Sequence, residues 1–218
     1  MIRGVVLACA VVGCAHAEDA VPNAIGALLV NGVQGCSAVL ISDHEVVTAA
    51  HCVARSAGMA QAAPGDFQVV LGQRPDGFAA RRGVVAYALL PFYQKTPDDR
   101  LTLDQIPRDV ALLELDAPVL PSEATPLAVV DWGQAAKVNI MGYAREDPMV
   151  LTQRSGCLIR THQGNMAQIG CPVVTGLSGA AVMVGQGVVA LVSAKAGPDQ
   201  ALVVTLAPLL DDLRANLQ

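Results

Sequence analysis

Three short segments of this chain hold residue types that together could make and break acyl bonds. In Val47-Thr48-Ala49-Ala50-His51-Cys52, a histidine ends an apolar run and sits among small residues that leave its ring room to face a cleft. In Arg108-Asp109-Val110-Ala111-Leu112-Leu113-Glu114-Leu115, an aspartate opens a hydrophobic run. Burying that carboxylate is costly unless a donor satisfies it, and an imidazole N–H is such a donor. In Gly176-Leu177-Ser178-Gly179-Ala180, glycines flank a serine. They permit a tight backbone that exposes the hydroxyl and turns amides toward one point. The N–H groups of Gly176 and Ser178 would then form an oxyanion hole.

Each segment alone has a plainer reading. His51 could be a core or surface histidine, and Asp109 a strand-start or turn residue. Asp98, Asp99 and Asp104 precede no apolar run and read as solvated loop charges. A zinc site built from His51, Cys52 and Cys36 lacks a fourth ligand at normal spacing. The hydrolase elbow G-x-S-x-G does not fit, because Ala180 stands where the last glycine belongs and that fold places its histidine after its serine. The order here, His51, Asp109, Ser178, is that of the chymotrypsin triad.

The elements that would position these residues are short strands. Apolar runs at 24–30, 37–41, 45–48, 67–71, 83–90 and 110–115 are separated by turn signals such as Asn31-Gly32 and Ser42-Asp43. A polar stretch over 94–108 reads as a surface loop, and the proline-rich 118–126 as a connection between halves. Further strands are expected at 137–143, 156–161, 180–184, 188–193 and 201–205. Only 208–217 has helical periodicity, with Leu209, Leu210, Leu213 and Leu217 on one face. Many short strands and one terminal helix mean an all-β sandwich or barrel.

Composition agrees. The 218 residues are 53% hydrophobic and 15% charged, which excludes disorder and supplies a core. Aromatics are only 3%, so that core is built from Val, Leu, Ile and Ala. A net charge of -5 and no Lys/Arg run argue against a nucleic-acid partner. The first residues read as a leader: Arg3, an apolar stretch over 4–13, and Ala15-His16-Ala17 as a cleavage site, giving a signal peptide over 1–17. Val11-Val12-Gly13-Cys14 offers the alternative of a lipoprotein leader over 1–13 with Cys14 lipidated, which would tether the protein to a membrane. Either way the protein is exported, to the periplasm or beyond, or held in the envelope by lipid. Four cysteines remain, Cys36, Cys52, Cys157 and Cys171, an even number that suits two disulfides in an oxidising compartment. Three pairings are possible. The local ones, Cys36 with Cys52 and Cys157 with Cys171, are preferred, each closing a loop of roughly 15 residues worth about 3 kcal/mol.

Thr-Ala-Ala-His51-Cys52, Asp109-Val-Ala-Leu-Leu and Gly176-x-Ser178-Gly179, in that order, resemble the three hallmark segments of the chymotrypsin-like (trypsin-like) serine proteases. The resemblance runs from about Ala24 to Thr205. Cys36-Ser37-Ala38-Val39-Leu40 fits the strand before the histidine, and Gly142-Tyr143 suits the opening of the second half. Cys171, just upstream of Ser178, resembles the secreted bacterial glutamyl-endopeptidase-like branch. The resemblance implies two packed six-stranded antiparallel β-barrels with a short C-terminal helix. Residues 18–120 would form the first barrel with His51 and Asp109, and 121–218 the second with Ser178 and the helix. It further implies a serine endopeptidase acting on proteins or peptides through an acyl-enzyme, with no cofactor and no metal.

The chain also departs from that pattern. Leu177 stands where the animal enzymes carry an aspartate that pairs with a freed N-terminus, so the oxyanion hole is expected to form without that insertion. Pro172, followed by Val173, stands where trypsin-like members place an acidic pocket base, so cleavage after Lys or Arg is not expected. Ser193-Ala194-Lys195 resembles the substrate-binding strand, and Lys195 either faces the pocket or lies on the surface. Val192 replaces a histidine used by glutamate-specific relatives, which leaves a small or apolar P1 residue as the expectation. His44 and His162 read as solvated turn residues. Two competing functions are a catalytically silent homologue that binds proteins and a non-enzymatic envelope β-barrel.

Overall fold

The computed structural model describes residues 23–55, 59–95 and 101–217. The leader, with its cleavage site and Cys14, lies outside the described residues, as do Asp98 and Asp99. Two closed barrels of six antiparallel strands make up the molecule. The first runs β1 (Ile25–Val30), β2 (Val33–Leu40), β3 (Glu45–Thr48), β4 (Phe67–Leu71), β5 (Ala80–Leu89) and β6 (Ala111–Leu115), closing in the order β1-β2-β3-β6-β5-β4. The second runs β7 (Lys137–Tyr143), β8 (Leu151–Gln163), β9 (Met166–Gly170), β10 (Ala181–Val184), β11 (Gly187–Gly197) and β12 (Gln200–Thr205), closing as β10-β11-β12-β9-β8-β7. Closure leaves no unpaired sheet edge in either half.

β9 is a strand that the sequence pattern does not predict; Met166–Gly170 pairs with both β8 and β12. Its only buried side chains are Ala167 and Ile169, too little apolar content to stand out. β8 extends well beyond the expected 156–161, because most of its side chains face solvent and only its backbone pairing marks it as strand.

One buried strand segment shows how the barrels meet. Cys36 to Leu40 are all buried, without the usual alternation. One face of β2 lines its own barrel, and the other presses Ser37 against the second barrel, where its hydroxyl meets Tyr143 and Gly176. The apolar core is accordingly continuous across the interface, joining Leu40, Val47 and Leu112 to Tyr143, Leu191 and Val204. The helix α1 (Leu210–Ala215) follows a 3-10 turn, Ala207–Leu209, and returns to the first barrel. Leu210 and Leu213 are buried in that shared core, and Arg214 makes a two-pronged ion pair with Glu45 on β3 at 2.8 and 2.9 Å. Both disulfides form as the local pairing proposed, Cys36–Cys52 and Cys157–Cys171.

Candidate active site

His51 sits in a 3-10 turn, Ala50–Cys52, directly after β3. The Cys36–Cys52 disulfide ties that turn to β2. This disulfide also disposes of the zinc reading: Cys36, His51 and Cys52 do cluster, but the two sulfurs are bonded to each other and offer no thiolate. Asp109 follows a second 3-10 turn, Ile106–Arg108, whose Ile106 plugs the core. The two turns bring the side chains together across 58 positions of sequence: His51 Nδ1 lies 2.8 Å from Asp109 Oδ2. A carboxylate only accepts, so Nδ1 carries the hydrogen and Nε2 presents its lone pair outward.

Asp109 is fully buried, and four donors converge on it. Oδ1 accepts the His51 backbone N–H at 2.9 Å and the Tyr93 hydroxyl at 2.9 Å. Oδ2 accepts from the His51 ring and from the Ser193 hydroxyl. A carboxylate has about four lone-pair sites, so every one of them is used. Tyr93 is itself buried; burial, and then the charge of Asp109, push its phenol well above the usual tyrosine range, so it stays a donor. Sequence reasoning missed Tyr93, whose signal is only its place after a short apolar run. It assigned Ser193 to substrate binding; the residue does line the cleft, but its hydroxyl is spent on Asp109.

Ser178 belongs to a turn in the second barrel and lines the same cleft of about 600 Å³ as His51. Among the described residues no hydrogen bond joins the two side chains. The turn is held on every side. Gly179 N–H donates to Val192 O at 2.7 Å and Ser37 N–H to Ser178 O at 2.7 Å. Arg145 N–H donates to Thr175 O at 2.9 Å and the Ser37 hydroxyl to Gly176 O at 2.9 Å. The N–H groups of Gly176 and Ser178 meet no acceptor among the described residues, as an oxyanion hole requires. Both flanking glycines are obligatory. Gly176 and Gly179 have φ of +98 and +78, and a Cβ on Gly179 would stand 2.2 Å from Ser37 O.

Leu177 is completely buried in the core of the second barrel with Val173 and Val182. Apolar packing therefore occupies the place of the charged aspartate. Val173, Val192 and Lys195 line the cleft, and Lys195 is exposed along it. Pro172 does not; it is exposed outside the wall, whereas Val173 beside it is buried and lines the cleft. His44 is half-exposed beside the exposed Asp43. His162 is exposed too, but lies on β8 rather than in a turn, its ring 5.0 Å from that of Trp132.

Two six-stranded barrels with a His–Asp pair on one and a glycine-flanked serine on the other define the chymotrypsin-like class. The family model for trypsin matches residues 12–207, and the chain belongs to that family of serine proteases. A solved structure titled as a Glu endopeptidase in complex with MPD is similar at a TM-score of 0.71, covering 88% of each chain at 17% identity. At that identity the likeness speaks to the fold. No curated protein matches the chain.

Proposed function

We propose that this chain is an active serine endopeptidase with Ser178 as nucleophile, His51 as general base and Asp109 as the group that orients it. The observation that carries the proposal is the His51–Asp109 pair, 2.8 Å apart, with the carboxylate buried and the imidazole on the cleft that Ser178 also lines. His51 takes the proton of Ser178 Oγ through Nε2 as the oxygen attacks the peptide carbonyl. Asp109 holds the tautomer and stabilises the imidazolium. The N–H groups of Gly176 and Ser178 receive the oxyanion, each such donor being worth about 3 kcal/mol. His51 then gives its proton to the departing amine, and water hydrolyses the acyl-enzyme.

The pocket wall of Val173 and Val192, with Lys195 beside it, disfavours Lys or Arg at P1 and suits a small or apolar residue. The leader features and two disulfides fit an exported protein, released after Ala17 or lipidated at Cys14. Among the described residues no helix is long and apolar enough to cross a membrane.

One observation favours a second reading, a silent homologue that binds proteins in the same cleft: Ser178 and His51 are not hydrogen-bonded. Catalytic hydrogen bonds in unliganded enzymes are often long and tighten only with substrate, which is why the enzyme reading is preferred. Incubating the mature protein with a peptide library decides between them. Cleavage that disappears in Ser178→Ala supports the protease. No cleavage by wild type, with peptides retained in the cleft, supports the binding module.

A further inference from the structure

The substitution of Leu177 for a charged anchor raises the question of what holds the oxyanion turn in shape. We propose that Ser37, on the first barrel, is the positioning residue that keeps the oxyanion hole of the second barrel preformed. This rests on the catalytic reading above and extends it to a residue outside the three hallmark segments.

Ser37 is fully buried, one of five buried polar or charged residues among those described. Every polar atom it has is used, and all but one reach the second barrel. Its N–H donates to Ser178 O at 2.7 Å. Its hydroxyl donates to Gly176 O at 2.9 Å and accepts Tyr143 N–H at 2.8 Å. Its carbonyl accepts the Thr48 hydroxyl at 2.7 Å, which fixes Ser37 within its own barrel. A single side chain thus grips the carbonyl of one oxyanion residue while its backbone grips the carbonyl of the other.

The geometry of the peptide group gives this grip its consequence. Peptide planes are rigid and each carbonyl is coplanar with the N–H of the following residue, so fixing Thr175 O sets the direction of the Gly176 N–H and fixing Gly176 O sets the next peptide along the turn. Gly176 has no Cβ and φ of +98, and would otherwise rotate freely about both of its soft dihedrals. With Thr175 O held by Arg145 N–H and Gly176 O by the Ser37 hydroxyl, both peptides around Gly176 are pinned. Its N–H, in one plane with Thr175 O, points opposite to that carbonyl, and the Ser37 bond on the far side of the Cα keeps the glycine from rotating out of this shape. The neighbouring Tyr143 N–H bond to Ser37 ties the same point to the end of β7. Leu177 alone could anchor the turn by burial, but apolar packing has no directionality to orient an amide.

The latch is built from Ser37, Tyr143 and the turn itself, so it uses no charged side chain at position 177.

The test is steady-state hydrolysis of a peptide substrate by Ser37→Ala, with inhibition by a peptide aldehyde and the melting temperature measured on the same samples. Losing alignment of one oxyanion donor is expected to lower kcat by about 10- to 100-fold, short of the full effect of deleting it. KM should hold within about twofold, and aldehyde affinity should fall in parallel with kcat/KM, since both read transition-state contacts. Ser37→Thr, which keeps the hydroxyl, should recover most of kcat. Ser37→Gly removes the hydroxyl with nothing to repack, and serves where the alanine variant does not fold. A folded Ser37→Ala or Ser37→Gly with wild-type kcat and aldehyde affinity would overturn the proposal. Hydrolysis by wild type that persists in Ser178→Ala would instead overturn the catalytic reading, independently of Ser37.

Discussion

Replacing Tyr93 by phenylalanine removes one of the four donors that converge on the buried carboxylate of Asp109. The hydroxyl donates to Asp109 Oδ1 at 2.9 Å, and the ring around it is buried. Phenylalanine fills the same space, so there is no cavity and little lost packing. What is lost is a hydrogen bond to a buried carboxylate, worth about 1.5–3 kcal/mol net. For a chain of this size each kcal/mol moves the melting temperature by roughly 2–4 °C, so a fall of about 3–12 °C is expected. Catalysis should suffer less than stability. Tyr93 bonds Oδ1, whereas the His51 ring is held by Oδ2, and the His51 backbone N–H still fixes the carboxylate. A kcat reduction of about 3- to 30-fold, corresponding to roughly 0.7–2 kcal/mol, with unchanged KM is therefore predicted. Calorimetry and peptide hydrolysis on Tyr93→Phe measure both quantities. A variant that melts within about 1 °C of wild type at full activity would refute the idea that four donors share the burial of Asp109.

Three further outcomes follow from the same contacts. Burial pushes the phenol of Tyr143 up to about 12, and that of Tyr93 is also raised. The folded chain keeps protons that the unfolded chain releases near pH 10, so stability is complete below that pH and declines as pH rises toward 12. Denaturant titrations at pH 9 and pH 11 should show the loss, and Tyr143→Phe should flatten it. Glu45 is held below the usual carboxylate range, chiefly by its hydrogen bonds to Arg214. That contribution is present at neutral pH and lost as pH falls through the lowered value; being partly exposed, it amounts to only about 0.5 kcal/mol and shrinks in salt. Arg214→Ala should abolish that increment of acid sensitivity in the same titration. Gly179→Ala forces a Cβ to within 2.2 Å of Ser37 O at a φ of +78. It should cost more than about 2 kcal/mol and leave little folded protein, as circular dichroism would report.

The three candidate segments were legible because the proposed chemistry constrains them locally. His51 needs small neighbours, Ser178 needs glycines at both sides, and Asp109 opens a strand it must satisfy. The disulfides were legible because short loops between cysteines favour local closure. Tyr93 and Ser37 were not, since their roles exist only where two turns or two barrels meet. Tyr93 reaches Asp109 across 16 positions, and Ser37 reaches Gly176 across 139. Nothing in either residue's neighbours announces those partners. β9 escaped notice for another reason: a strand whose inward side chains are only Ala167 and Ile169 carries almost no hydrophobic alternation. The sequence pattern places Pro172 and Val173 together in the pocket, whereas Val173 lines the cleft and Pro172 is exposed outside it.

The account depends on one oxygen being made nucleophilic by one imidazole. Treating the mature protein with a fluorophosphonate and mapping the adduct by mass spectrometry tests this at the atom concerned. The prediction is a single stoichiometric adduct on the peptide bearing Ser178, slowed by orders of magnitude in a folded His51→Ala. An unlabelled Ser178, or labelling that proceeds equally well without His51, would contradict it.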